Sequence, residues 1–261
     1  MKWILIGGLA FVAACSSSSS DAPGGGPGGG TGDGGPGYEG GPGEPIHNDG
    51  GSDIPADGAV KACSAARASL LGAVTTVSTG EVTVLGSAGG VTTLFVDASA
   101  GGTSGGTTNP WIFVDLAGSS RVAVSDTTSI ASTAWDLAFK RPVIYTNSGD
   151  GGDGRGGAVL VPKAFDAVTA ADASAATYAT ESFFDDQCNP QLDNTGAPAT
   201  TFSSWYDYND ATHVLSPHAG TWLVRGGTGK LFKVQITTYY GTNDGGTGTA
   251  GGKYIMKVGA L

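Results

Sequence analysis

The sequence has few of the residues from which active sites and metal centres are usually built. Its 261 residues include three histidines, two methionines and three cysteines. No Cys/His group has the spacing of a zinc site. Gly102-Thr103-Ser104-Gly105-Gly106 has the look of a serine-nucleophile loop, but a triad needs a histidine base, and the only histidine before it is His47. Gly226-Gly227-Thr228-Gly229-Lys230 looks like a phosphate loop. It lacks the following Ser or Thr, and its flanks are those of a hairpin. Asp150 and Asp153 in a glycine stretch have too few neighbouring carboxylates to hold Ca²⁺, so a mobile loop is the simpler expectation. With no acid, base or nucleophile constellation, an enzyme is the weakest functional class. Basic residues are scarce as well: 13 Lys and Arg stand against 23 Asp and Glu, with no basic cluster, which argues against nucleic acid as a partner. No fixed-period repeat supports a propeller or solenoid. The one long apolar run, Trp3 to Ala14, is too short to span a bilayer as a helix.

That run has the length and the preceding charge, Lys2, of a secretory signal. It ends Val12-Ala13-Ala14-Cys15, which resembles a bacterial lipobox and is followed directly by a serine run. Residues 1–14 are therefore expected to be removed, and Cys15 to carry lipid and anchor the chain to a membrane. Ser16 at the next position resembles the sorting pattern for the outer membrane, so a surface-exposed outer-membrane lipoprotein of the cell envelope is the expected location. Residues 16–58 contain 16 Gly, 6 Pro, 7 acidic residues and no Lys or Arg. Such a segment has too little apolar surface to offset its chain entropy and is expected to be a disordered tether. As a flexible coil it would reach about 5–6 Å times the square root of its length, roughly 35–40 Å. Residues 59–261 then form one domain, mildly acidic and long enough to bury a core.

Once Cys15 is assigned to lipid, Cys63 and Cys188 remain, an even number in an exported chain. A disulfide between them is the expected arrangement, and two buried free thiols the alternative.

The folded part reads as mostly antiparallel strands with few short helices. Lys61 to Ala73 suggests a short helix. Glu81 to Leu85 and Val91 to Val96 are β-branched runs separated by glycine turns. Trp111 to Leu116 and Arg121 to Val124 suggest a hairpin. Trp135 to Phe139 and Val143 to Thr146 flank Arg141-Pro142, which implies a bend or an edge position. Ala164 to Thr180 suits an irregular helix or coil. Four strands follow: Trp205 to Tyr208, Thr212 to Leu215, Thr221 to Arg225 and Lys230 to Tyr240. In the last, Phe232, Val234 and Ile236 face one way and Lys233 and Gln235 the other, the period of a half-buried strand.

Two groups of motifs carry a family resemblance. One is Trp135-Asp136-Leu137-Ala138-Phe139-Lys140-Arg141, followed by Tyr145-Thr146-Asn147-Ser148-Gly149 and the glycine stretch to Ala158. The other runs from Trp205-Tyr206-Asp207-Tyr208 through Thr212-His213-Val214-Leu215-Ser216-Pro217 and Trp222-Leu223-Val224-Arg225 to Tyr239-Tyr240. In this order they resemble the HmuY family of haem-binding surface lipoproteins. The resemblance implies an all-β domain behind its tether and a protein that captures haem and passes it to a TonB-dependent receptor, without chemistry on the ligand. It implies axial histidines, for which His213 and His218 are the candidates in the domain. The other reading of His213 is a strand residue whose ring is hydrogen-bonded in or near the sheet. The alternative function is a surface lipoprotein without a cofactor, acting through protein or adhesive contacts.

Overall fold

The computed structural model describes residues 63–101, 106 and 108–261. The leader, Cys15, the tether, the boundary near residue 59 and Ser104 lie outside the described residues. The first described element is α1 (Ser64–Leu71), within the stretch expected to be helical. The strands are β1 (Val82–Ala88), β2 (Val91–Asp97), β3 (Ile112–Asp115), β4 (Ser120–Val122), β5 (Leu137–Lys140), β6 (Val143–Thr146) and β7 (Gly157–Val161). After a single 3₁₀ turn (Phe165–Ala167) and the short helix α2 (Ala170–Ala175) come β8 (Tyr206–Asn209), β9 (Val214–Pro217), β10 (Thr221–Arg225), β11 (Leu231–Thr238) and β12 (Lys253–Ala260).

Every pairing between these strands is antiparallel. One sheet has six strands in the order β1-β2-β12-β11-β10-β7, a second has four in the order β4-β3-β5-β6, and β8-β9 is a separate ribbon. The side-chain period of two sorts the four-stranded sheet cleanly. Ile112, Val114, Leu137, Phe139 and Ile144 join Leu94, Trp222, Val234, Tyr254 and Met256 of the large sheet in the main core. The alternate residues Phe113, Ala138 and Tyr145 face away and pack with Leu71 of α1, Trp111, Trp135 and Phe183 in a second core. Beyond the large sheet, Leu223 of β10 packs with Val168 and Ala173 around α2. β10 is therefore covered on both faces, and β11 shows the expected alternation of buried and half-buried residues.

The Arg141-Pro142 pair forms the turn between β5 and β6, and β6 is an edge strand, as a proline at that point requires. The bond between Cys63 and Cys188 is present, closing a separation of 125 residues and tying the start of α1 to the loop after Phe184. Two expectations are corrected. The glycine stretch 149–157 is a packed loop, with Asp150, Gly151, Gly152 and Gly156 buried. Arg67 donates to the backbone oxygens of Asp150 and Gly151, and the Asp150 carboxylate accepts from the Phe183 and Phe184 amides, so that carboxylate is spent on the fold. The second correction is to His213, which lies in the turn between β8 and β9 with φ 57. The strand there starts one residue later and runs through Ser216 and Pro217.

Candidate binding site

The β8–β9 ribbon leaves the body of the domain at an aromatic base. Trp205 is buried and its indole donates to the Pro142 carbonyl (2.7 Å). Its ring meets those of Tyr206, Tyr239 and Tyr254 at centroid distances of 4.7, 5.6 and 5.4 Å. Tyr254 donates to the Arg141 carbonyl (2.6 Å), and the Tyr240 hydroxyl accepts from the Leu215 amide (2.9 Å). Burial raises the Tyr239 and Tyr254 phenols well above the ordinary range, so these hydroxyls stay protonated. Tyr206, half-buried, is raised first by burial and then by the nearby Asp193 carboxylate.

Away from that base the ribbon is exposed. Tyr208 retains 49% of its accessible surface and Val214 40%, two of the large apolar side chains most open to solvent. The register places Tyr208 opposite Leu215 and Asn209 opposite Val214, with residues 210–213 closing the turn. His213 follows at the tip, where its Nδ1 lies 2.7 Å from the Tyr208 hydroxyl. His218 sits just past the other end of β9. Its amide donates to the Trp205 carbonyl (2.9 Å) and its Nε2 lies 2.7 Å from the Asp207 carboxylate.

The two histidines are thus held at opposite ends of one short strand. Five residues of extended chain span roughly 16 Å, too far for two imidazoles to clamp opposite faces of one iron. Met256, the other side chain with a sulfur ligand, is fully buried in the main core. A bis-axial clamp therefore does not fit the described residues; ligation from one side, at the ribbon tip, does. Two clefts elsewhere, of about 580 and 380 Å³, lie beside Glu81, Asp97, Asn109 and Phe139 and beside Leu116, Lys230 and Phe232 respectively. Neither is lined by an imidazole, thioether or phenol among the described residues. No group of three or more His, Cys, Asp or Glu among the described residues could hold a metal ion, and no helix among them is long and apolar enough to cross a membrane. The contact between Tyr208 and His213 is what sequence reasoning missed. Asn209-Asp210 marked the turn, and carrying that turn to its end would have set His213 diagonal to Tyr208.

The family model described as "HmuY protein" matches residues 107–254, from just before β3 into β12. The chain belongs to the HmuY family. Among solved structures it is similar to an HmuY-like heme-binding protein candidate from Bacteroides vulgatus, at 16% identity and a TM-score of 0.44, covering 68% of this chain and 97% of that one. It is also similar to an apo HmuY analog from Tannerella forsythia (13%, 0.41, 70% and 98%) and to a lipoprotein candidate from Bacteroides fragilis (14%, 0.41, 67% and 93%). No curated protein matches the chain.

Proposed function

We propose that this chain is a lipid-anchored envelope protein that captures haem, or a similarly flat apolar ligand, and hands it to an outer-membrane receptor. Membership of the HmuY family is the observation that carries the reading. The exposed aromatic ribbon supports it, because most of the affinity for a porphyrin comes from covering its faces, at about 25 cal/mol per Å² of apolar area. The iron would supply one further bond, to a donor at the ribbon tip. The protein's own contribution is to present that donor on a stiff aromatic base and to leave the ligand unchanged for release. Cys15 would hold the domain at the membrane, and the segment 16–58 would let it reach a receptor of the TonB-dependent kind. Titration of the purified chain with ferric haemin is expected to give a shifted Soret band that saturates at one equivalent. No shift at micromolar haemin would overturn the haem reading and leave an envelope protein acting through protein contacts. Replacement of Cys15 by Ser is expected to abolish palmitate labelling in cells, and normal labelling would remove the anchor.

A further inference from the structure

The ribbon tip breaks a local rule. The turn 210–213 is closed by the His213 amide donating to the Asn209 carbonyl (2.7 Å). The Asn209 side-chain oxygen accepts from the amides of Ala211 and Thr212, each at 3.0 Å. The last residue of such a turn is left-handed, and here it is His213 at φ 57. Glycine takes that conformation at no steric cost; other residues occupy it uncommonly. A side chain kept at a strained and exposed position invites the question of what it touches. The imidazole meets a specific group: Nδ1 lies against the hydroxyl of Tyr208, its diagonal neighbour across the ribbon. Tyr208 is half exposed, and His213 is its hydroxyl's hydrogen-bond partner.

We propose that Tyr208 is the residue that binds the iron, through its phenolate oxygen, and that His213 is the base that takes the phenol's proton. The inference rests on the haem reading above and names the donor within it. A neutral imidazole accepts at one ring nitrogen and donates at the other. In the tautomer this proposal takes, the Tyr208 hydroxyl donates to Nδ1 and the His213 Nε2 carries the ring proton, which leaves that nitrogen no lone pair for a metal. The phenol oxygen does have one, and tyrosine oxygen is an established axial donor to haem iron. On binding, the Oη–H bond breaks, an Oη–Fe bond forms, and the proton passes to Nδ1. The imidazolium then donates back to the phenolate in a charge-assisted hydrogen bond, which holds the developed negative charge in place. No charge is lost or gained by the pair, and no oxidant or reductant is needed. His218 is kept out of the arrangement by its contact with Asp207 at the ribbon's base.

The test is a ferric haemin titration of the intact chain and of Tyr208→Phe, His213→Ala and His213→Gly, with resonance Raman spectra of each complex. Both residues are exposed, and circular dichroism checks that the variants fold. The wild type is expected to show a high-spin ferric complex with a phenolate vibration and to lose haem when dithionite reduces the iron, because an anionic oxygen donor favours the ferric state. Tyr208→Phe should lose the phenolate vibration and most of the affinity. His213→Ala should keep the vibration and bind roughly tenfold more weakly, the usual effect of removing a group that supports a metal ligand. Free imidazole should restore part of that loss in His213→Gly. An imidazole-type spectrum that survives in Tyr208→Phe and vanishes in His213→Ala would make His213 the ligand; it would overturn this assignment and leave the haem reading standing. Absence of any haem complex in the wild type would overturn both.

Discussion

The second core, around Trp135 and Asn147, and the β8–β9 ribbon use the same kinds of side chain to opposite ends. In the core the buried polar groups of Asn147, Glu181 and Trp135 are matched. Asn147 donates to the Ser132 and Trp135 carbonyls and accepts from the Gly154 amide, at 2.8 to 3.0 Å. Glu181 accepts from both the amide and the hydroxyl of Thr146 and of Thr201. Trp135 lies edge-on to Phe113 and Tyr145, and its indole donates to the Ser129 carbonyl. Glycine is required where these groups crowd: a Cβ on Gly227 would stand 2.4 Å from the Trp135 carbonyl. On the ribbon, Tyr208 meets His213 and Asp207 meets His218, and Tyr208, Asp207 and His213 face solvent. Dense polar geometry here makes the fold unique, while the groups a ligand can reach sit where packing asks least of them.

The largest expected effect tests the core side of that contrast. Trp135→Ala removes a fully buried indole and is expected to cost about 3–5 kcal/mol of stability, read from denaturant unfolding. A cost below about 1 kcal/mol would mean that the second core is not close-packed. Next is the bond between Cys63 and Cys188. Its long loop implies about 4–5 kcal/mol in the chain-entropy model, and about 2–5 kcal/mol is usual on removal. The Cys63→Ala, Cys188→Ala double variant should therefore lower the unfolding midpoint strongly. It should leave haemin binding at the ribbon unchanged, because the bond lies against the second core. An equal loss of both would show that the two regions are coupled.

A smaller effect separates pH behaviour. Asp126 Oδ2 is buried with no hydrogen-bond partner, although Oδ1 accepts from the Trp111 amide. Burial raises this carboxyl above its ordinary value, against the opposing pull of that amide and of Lys140, whose own ammonium is lowered by burial. A raised carboxyl favours the folded state when protonated. That contribution is complete below the unfolded value of 3.8 and is lost as pH rises through the higher folded value. Asp126→Asn removes the titration and keeps the Oδ1 acceptor. Relative to wild type, the variant should gain about 1 kcal/mol at pH 7 and lose that advantage toward pH 4. A difference that does not change with pH would show that the carboxyl titrates alike in the folded and unfolded states, so that burial does not raise it.

Much of the fold was legible because it is written in local period. The alternation of β11, the Arg141-Pro142 turn and the short helix before Leu71 each rest on neighbours in sequence. β7 escaped notice because Gly157 and Ala158 continue the composition of a loop, and only pairing with β10 makes the segment a strand. The burial of the glycine loop was invisible for a related reason. Its partners, Arg67, Glu181, Phe183 and Gly227, are far along the chain. The ribbon lies between these cases. Its aromatics and turn residues were read correctly, but placing His213 in a strand hid the left-handed geometry that turns its ring toward Tyr208.

The smallest effect is the most direct test of the ribbon side. His213→Gly relieves a left-handed residue, worth about 1 kcal/mol, and adds unfolded-state entropy of similar size and opposite sign. It also removes one exposed hydrogen bond, to Tyr208, whose net worth in water is near zero. The turn keeps its closing bonds, which come from the backbone and Asn209. Stability is therefore expected to change by less than about 0.5 kcal/mol, a shift of about 2 °C or less in the melting temperature of a domain this size. A loss above about 2 kcal/mol would make the imidazole a structural clasp of the ribbon. The strain at His213 would then be explained by folding alone, and the division between a core that specifies and a ribbon that binds would fail at the one residue where the two roles meet.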